Sequence, residues 1–433
     1  MAEAKDKSRI QVERQVAHWV AAVRGLEGWE KWASADAWRG LEQYLGLTLR
    51  DNLASAIGRL RQHAEQLEAQ AKTPPSAQPT ERLRRSLLAL RGEYLRAETM
   101  LDFFGDAINT RTGPEISALL RGCDILATES MRQLLDQFNK KTPPVLTYVD
   151  KGLGASVLKA GLRLWDGVTI NPVSAIKIVR HNLRRPSSLF HEAGHQVAHQ
   201  LGWNDEMAGA LAEALRDAPL GIVEAWTGWA SEVVGDVFAF VHTGYASVAA
   251  LHDVLAGEEE TVFALRPGDP HPVSFIRVLL GAEMCRHCYG AGPWDDLAAS
   301  WADTHPLERA PGEARELLAQ SIPLLPAVVR ASLRKPLHAF GGKAIVQCLD
   351  PQRVSPAQLA ELEKAAGGAL STSTHWAGRE AIRITALTGY RSATAPAESA
   401  RYWRMQEDLM MLLGGMTRQP AASATKRREV LHV

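Results

Sequence analysis

The hydrophobic pattern of this chain changes its period at Thr142. Before that point, apolar residues recur every three or four positions, as on one face of a helix; examples are Val12, Val16, Val20 and Val23. The stretch 142–179 instead contains short β-branched or alternating runs, separated by Gly, Asp, Asn and Pro, at 142–149, 161–165, 168–170 and 176–179. Helical patterns return afterwards. The sequence therefore predicts a mostly helical α+β fold with one small antiparallel sheet.

These patterns divide the 433 residues into six regions. They are a helical N-terminal region (1–72), a linker rich in proline (73–80), a second helical region (81–141), a core that includes the strands (142–300), a helical C-terminal region (301–416) and a flexible basic tail (417–433). Within them, Gly113-Pro114 predicts the start of a helix, and 205–218, 220–241 and the segment after Pro272 predict further helices. Four tryptophans are predicted to lie in the core of the first region, with a binding surface as the alternative; they are Trp19, Trp29, Trp32 and Trp38.

The composition limits the classes of partner. Lysine and arginine number 49, and so do aspartate and glutamate, which argues against nucleic acid or an anionic membrane as the main partner. No apolar run reaches 18 residues, and the first residues lack the apolar core of a secretory signal, so we expect a cytoplasmic protein without a membrane span. Four cysteines are too few for a disulfide scaffold. Cys285 and Cys288 are close enough in sequence to suggest a second metal site, but buried thiols on a helix are the favoured interpretation.

The segment His191-Glu192-Ala-Gly-His195 is the clearest candidate for a functional site in the sequence. On a helix, the two imidazoles lie one turn apart on one face and can share one zinc ion. Glu192 is rotated about 100° from that line and can act on a metal-activated water instead. Ser187 and Ser188 predict a serine cap at the start of this helix, and Gly202 predicts its end. The alternative is a pair of ordinary surface or core histidines.

Two further segments add candidate residues. Glu232 and Asp236 lie four residues apart in an otherwise apolar helical pattern, where two carboxylates require partners or a metal. Glu232 is therefore the candidate third zinc ligand, and Asp236 is the candidate acceptor for the second N–H of a ligand histidine. Small residues on both helical faces, among them Gly194 and Gly235, would let the two helices approach closely. The alternative for the carboxylates is a solvated helix face.

The third segment contains His271 and Arg277, six residues apart across the expected start of a helix. In a zinc peptidase, His271 is suited to stabilise the oxyanion that forms when water attacks the scissile carbonyl. Arg277 can orient a substrate carbonyl or hold an active-site carboxylate. A capping histidine and a surface arginine are the alternative.

The order of these motifs resembles that of gluzincin metallopeptidases, nearest to the CAAX-prenyl-protease-like and neprilysin-like branches. The resemblance covers about 145–298, and it lies in the motifs and their order rather than in continuous sequence. It implies a zincin-like core in which one Zn2+ is bound by His191, His195 and Glu232. By the same resemblance Glu192 is the general base, Asp236 orients a ligand histidine, and His271 and Arg277 serve the transition state.

The chain also departs from related patterns. The 37-residue gap between His195 and Glu232 is longer than in thermolysin-like enzymes, and the membrane helices of the prenyl-protease branch are absent. Ala198 and Leu201 replace the Gly and His that a metzincin requires. His199 lies two turns from His191, too far along the helix to share the ion.

The resemblance further implies that a strand ahead of the His-Glu helix pairs with an extended substrate, and 176–179 is the candidate for this edge. His181, Arg184 and Arg185 follow it. They would favour acidic residues in a substrate if they were free, although a solvated basic turn is the favoured interpretation.

The predicted function is a zinc-dependent peptidase that hydrolyses a peptide or protein substrate with a metal-activated water, Glu192 serving as general base. The helical N- and C-terminal regions would cover the cleft or bind a protein partner. The competing hypothesis is a non-enzymatic helical scaffold or adaptor built on a zincin-like fold. A purely structural zinc site is the third possibility, and Glu192 argues against it because a closed site has no need of a base.

Overall fold

The computed structural model describes residues 7–41, 43–152, 155–165 and 167–416, so the basic tail predicted at 417–433 lies outside the described residues. The first helices form a bundle with its own hydrophobic core. They are α1 (Lys7–Gly25), α2 (Ala35–Arg39), α3 (Gln43–Lys72) and α4 (Thr80–Asn109). Trp29 and Trp38 are buried in that core, with ring centroids 5.9 Å apart.

The proline-rich segment 73–79 connects α3 to α4, which pack against each other. Arg9 holds its ends: Nη1 donates to the Gln78 carbonyl at 2.8 Å, and Nη2 donates to the Thr73 carbonyl at 3.0 Å. The Arg9 side chain is buried, so these hydrogen bonds compensate the loss of its hydration. The segment is therefore a fixed loop inside the helical bundle.

A small sheet follows α5 (Pro114–Leu135), whose first residue is the predicted proline. The strands are β1 (Val145–Val149), β2 (Ser156–Leu158) and β3 (Ser174–Ile178), in the order β1-β3-β2. The predicted antiparallel sheet is wrong in part, because β1 and β3 run parallel while β2 and β3 run antiparallel. The long connection 150–173 includes β2 and returns the chain in its original direction, which permits the parallel pair.

The predicted edge strand is also wrong. β3 is the central strand, and its residues Ala175, Ile176 and Lys177 are paired on both sides. A substrate strand cannot add there, because the backbone groups of a central strand are already used. The runs predicted at 161–165 and 168–170 form a turn with one isolated bridge, Arg163 to Ile170, and left-handed glycines at Gly161 and Gly167 interrupt the extended backbone.

The sheet lies between the two hydrophobic cores of the molecule. Leu146 and Ala175 on one face pack with the N-terminal bundle. Val145, Ile176 and Ile178 on the other face belong to a larger core that extends from α5 to the last helix. The sheet thereby joins the bundle to the helices that carry the histidines.

Helix α6 (Ser187–Leu201) contains the His-Glu segment and ends at Gly202, which has the left-handed conformation (φ 70°) expected of a helix end. The predicted serine cap is wrong. Pro186 occupies the capping position, and no side chain caps the first turn. The Ser188 hydroxyl instead accepts a hydrogen bond from Asn182 Nδ2 at 3.3 Å.

The region predicted as one helix over 220–241 is two helices, α8 (Leu220–Gly228) and α9 (Ala230–Thr243), with α7 (Trp203–Ala214) before them. The break falls at Trp229, whose backbone (φ −86°, ψ 0°) leaves the helical range directly after a glycine. Glu232 therefore stands in the first turn of α9 rather than in the middle of a long helix.

The rest of the described chain is helical and completes the larger core. The helices are α10 (Tyr245–Leu255), α11 (Glu259–Val262), α12 (Ser274–Tyr289), α13 (Pro293–Thr304), α14 (Gly312–Ser321), α15 (Leu325–Arg334), α16 (Ile345–Cys348), α17 (Pro356–Ala366), α18 (Thr374–Thr394) and α19 (Ser399–Gly415). α19 returns to pack on α5. In the described ranges, no helix is both long and apolar enough to cross a membrane.

Candidate metal centre

Two glycines allow α6 and α9 to approach closely at the candidate site. A Cβ added to Gly194 would lie 2.7 Å from Cβ of Phe238, and one added to Gly235 would lie 2.6 Å from Nδ1 of His191. Real Cβ atoms do not come so near other atoms, so only glycine fits at either position. The contact between these helices sets the positions of the side chains that they carry.

Two imidazole nitrogens and the two oxygens of one carboxylate converge where the helices meet. His191 Nε2 and His195 Nε2 are 3.0 Å apart, His191 Nε2 is 3.2 Å from Glu232 Oε2, and His195 Nε2 is 3.3 Å from Glu232 Oε1. Two ligands of a tetrahedral zinc ion are about 3.3–3.4 Å apart when each bond is about 2.0–2.1 Å. The separations in the structure are therefore close to those of a zinc-binding triad.

The chemistry of these atoms agrees with their spacing. Two imidazole nitrogens and one carboxylate oxygen are donors that zinc accepts, whereas calcium takes six to eight oxygens. Two neutral imidazoles that present Nε2 lone pairs to each other and to a carboxylate would repel unless a cation or protons lay between them. In the described residues, this is the one group of three or more His, Cys, Asp or Glu side chains with ligand atoms near enough to hold a metal.

Asp236 and Arg277 fix the first histidine from behind. Asp236 Oδ1 lies 2.9 Å from Nδ1 of His191, so the carboxylate accepts the Nδ1 N–H. In the neutral imidazole this leaves Nε2 as the nitrogen with a lone pair, directed at His195 and Glu232. Arg277 on α12 donates to Asp236 through Nε (2.7 Å) and Nη2 (2.8 Å), and its Nη2 also donates to Glu232 Oε2 (3.2 Å). Of the two roles predicted for Arg277, the structure places it in the second, holding carboxylates.

The buried charges of the centre favour a positive charge between the ligands. Burial alone would lower the pKa of His191, but hydrogen bonds with Asp236 and Glu232 outweigh it and raise that pKa to about 10. Burial would raise the pKa of Glu232, but its contacts with both histidines bring it well below its usual range. Asp236 also has a lowered pKa, since the positive charge of Arg277 overcomes the effect of burial.

Glu192 differs from these residues because no described residue hydrogen-bonds its carboxylate. It is nevertheless buried, with only 7 % of the residue exposed. Burial raises its pKa, and the positive charge of the neighbouring histidines opposes the change in part. On α6 it shares a side with Gln196, whose Oε1 accepts from the Ala160 backbone N–H at 2.7 Å. Glu192 therefore lies on the side of α6 that faces the segment after β2.

His271 stands at the exposed side of the centre, just before α12. It is the most exposed of the candidate residues, and its Nε2 is 3.5 Å from Glu232 Oε2. Asp269 accepts from both its backbone N–H (3.0 Å) and its Nδ1 (2.7 Å), which fixes the ring. No role was predicted for Asp269, although an acid two residues before a candidate histidine was the available signal.

The remaining candidates lie apart from the centre. His199 is near Gly161 rather than the ligands. Cys285 is buried and Cys288 is half-buried on α12, as expected for thiols on a helix. The basic turn is paired within the chain, since Arg184 contacts Glu115 and Glu407, and Arg185 contacts Asp253.

Comparisons of this chain with protein families, with curated proteins and with solved structures find no match.

Proposed function

We propose that the chain is a zinc-dependent peptidase whose single Zn2+ is held by His191, His195 and Glu232. The observation that carries the proposal is the convergence of His191 Nε2, His195 Nε2 and the two Glu232 carboxylate oxygens, with nearest separations of 3.0–3.3 Å. Beside them lies the buried Glu192, whose carboxylate no described residue hydrogen-bonds. A bound zinc would supply Lewis acidity toward water and a peptide carbonyl.

The protein's own groups have separate tasks in this proposal. Glu192 would accept a proton from the attacking water and pass it to the leaving amine, and it is free to do so because no described residue occupies its carboxylate. His271, held by Asp269, would donate a hydrogen bond to the carbonyl oxygen as that oxygen gains negative charge. Asp236 and Arg277 would be positioning residues that keep His191 and Glu232 in place.

The test combines metal analysis with one substitution. We expect about one zinc per purified chain. Glu192→Gln should keep the metal and lower the hydrolysis of a peptide library by about 10²–10⁴-fold, because the amide cannot accept the proton. Glu224→Gln on α8 is the matched control, since Glu224 is exposed, and it should behave as the parent.

Each outcome distinguishes between interpretations. Iron in place of zinc would point to oxidative chemistry, since two histidines and one carboxylate also bind non-haem iron. A parent protein that binds zinc but cleaves no peptide would favour the scaffold. Unchanged proteolysis in Glu192→Gln would remove Glu192 as the base.

A further inference from the structure

Exposed apolar side chains are concentrated in the turn 161–171. Leu162, Trp165, Val168 and Ile170 are 38 %, 41 %, 62 % and 46 % exposed. Elsewhere in the described part of the chain, large exposed apolar side chains are at least seven residues apart in sequence. Scattered apolar residues are normal on a protein surface, whereas a group of this kind indicates a binding surface.

The turn is fixed to the protein by its other side. Leu164 and Thr169 are buried, and the Leu164 N–H donates to the Thr169 carbonyl at 2.8 Å. Asn52 on α3 donates to the Ile170 carbonyl at 3.2 Å, and the Trp165 ring lies 5.3 Å from that of Phe103 on α4. The exposed side chains are therefore held in place, and their exposure does not come from a loose segment.

The same part of the chain is strongly basic. Between residues 140 and 185 there are nine lysines and arginines, two aspartates and no glutamate, in a chain that is neutral overall. Arg184 and Arg185 are neutralised by acids of other helices. The other seven form no ion pair with any residue that the structure describes; they are Lys140, Lys141, Lys151, Lys159, Arg163, Lys177 and Arg180.

Some of these basic groups lie beside the apolar turn. Arg163 is bridged to Ile170 within it. Lys177 pairs with Tyr148 across the sheet, and Phe103 contacts both Tyr148 and Trp165. Lys177 Nζ in turn reaches the Lys151 carbonyl at 3.4 Å. Strand pairing, ring contacts and this hydrogen bond thus connect Lys177 and Lys151 to Trp165.

We propose that this surface, made of the described residues of the turn (161–165 and 167–171) with Lys151 and Lys177, binds an anionic lipid bilayer. Apolar side chains that enter the interface, together with basic groups that face anionic headgroups, are the two contributions that peripheral binding requires. Four apolar side chains on one turn are few for a stable protein interface, which buries about 800 Å² on each partner. The proposal is independent of the peptidase chemistry.

The test is flotation of the full chain with vesicles of phosphatidylcholine, with and without about 30 mol % phosphatidylserine. We expect binding to the anionic vesicles alone, weakened by high salt because the charges are exposed. The double variant Trp165→Ser/Val168→Ser should bind at least about tenfold more weakly. Leu220→Ser, which removes an isolated exposed apolar side chain on α8, should bind as the parent.

A second pair of variants tests the charge. Lys151→Glu should weaken binding, whereas Lys364→Glu on α17 makes the same change away from the surface and should not. Equal binding to neutral vesicles, no binding by the parent, or full binding by the double variant would each overturn the proposal. If the parent ignores vesicles while the double variant raises KM for peptides, the surface binds a peptide instead.

Discussion

Two groups of buried charges in this protein look alike and differ in kind. At the first, Arg111 donates to Asp124 (2.9 Å) and to the Thr147 carbonyl (2.6 Å), and Asp124 also accepts the Thr147 backbone N–H (2.7 Å). At the second, Arg277 donates to Asp236 and Glu232. Both arginines are buried and both hold carboxylates.

The two groups differ in which atoms face one another. Among the described residues, every hydrogen bond of the Asp124 side chain joins a donor to the carboxylate, and the group connects the end of α4 to α5 and β1. Beyond Asp236, the Nε2 atoms of His191 and His195 and the Glu232 carboxylate face one another, and all of them are acceptors when both imidazoles are neutral at Nε2. A buried ion pair whose charges compensate each other needs no further partner, whereas converging lone pairs indicate a cation site.

The largest expected effect tests the structural group. Asp124→Asn keeps the shape but leaves the Arg111 charge uncompensated, so the free energy of unfolding should fall by about 3–5 kcal/mol. Chemical denaturation measures this loss, and the zinc Kd should stay that of the parent. Arg111→Met/Asp124→Leu should recover part of the loss, because no unpaired charge remains. A change in unfolding free energy below about 1 kcal/mol would contradict the assignment.

The second prediction tests the candidate metal centre with the same type of substitution, aspartate to asparagine. Asp236→Asn should raise the zinc Kd by about 10–100-fold, because His191 loses the carboxylate that fixes its ring. Competition with a chromophoric chelator measures the Kd. Asp253→Asn, which affects the partly exposed pair with Arg185, is the control and should leave zinc binding unchanged. A parent-like Kd in Asp236→Asn would mean that the two buried groups do not differ as described.

Much of the centre could be predicted because its determinants are local. The spacing of His191 and His195 places both rings on one helix face, and a carboxylate in an apolar helix such as Glu232 needs a partner. Those arguments need only the helical period. The mostly helical fold with a small sheet followed from the same periods.

The parts that could not be predicted depend on distant contacts. Short β-branched runs have the same pattern in parallel and antiparallel sheets, so the direction of β1 and the central place of β3 were not accessible. The apolar pattern continues through Trp229 and conceals the break between α8 and α9. Of the two roles predicted for Arg277, the choice depends on where α12 crosses α9, and the sequence around one arginine does not determine that crossing.

A third prediction addresses the close contact between α6 and α9 at the candidate centre. Gly235→Ala places a methyl group against the His191 ring, so we expect a loss of about 1–3 kcal/mol in unfolding free energy together with weaker zinc binding. Gly209→Ala on α7 adds the same methyl group with no atom within 4 Å, and should stabilise the protein by about 0.5–1 kcal/mol. Normal zinc binding in Gly235→Ala would show that the helices are farther apart.

The smallest expected effect comes from His242, which is buried on α9 beyond Glu232 and Asp236 but faces Phe190 and Phe238 rather than other ligands. Burial, aided by the charge of Arg353, lowers its pKa to about 3, and the backbone of Ser130 opposes this change only in part. The unfolded chain therefore binds a proton below pH about 6.5 that the folded chain does not bind. Stability should fall as pH falls from 6.5 toward 3, by at most about 1.4 kcal/mol per pH unit.

The variant His242→Gln isolates this contribution, because the amide is polar and does not titrate. Unfolding free energies of chelator-treated protein at two pH values between 5 and 6.5 should decrease less in the variant than in the parent, while the other acidic groups cancel in the difference. An equal decrease in both proteins would mean that His242 is protonated in the fold. His242 would then be a charged group of α9, as Glu232 and Asp236 are. Burial on that helix would no longer distinguish a neutral histidine that packs against aromatic rings from a candidate metal ligand.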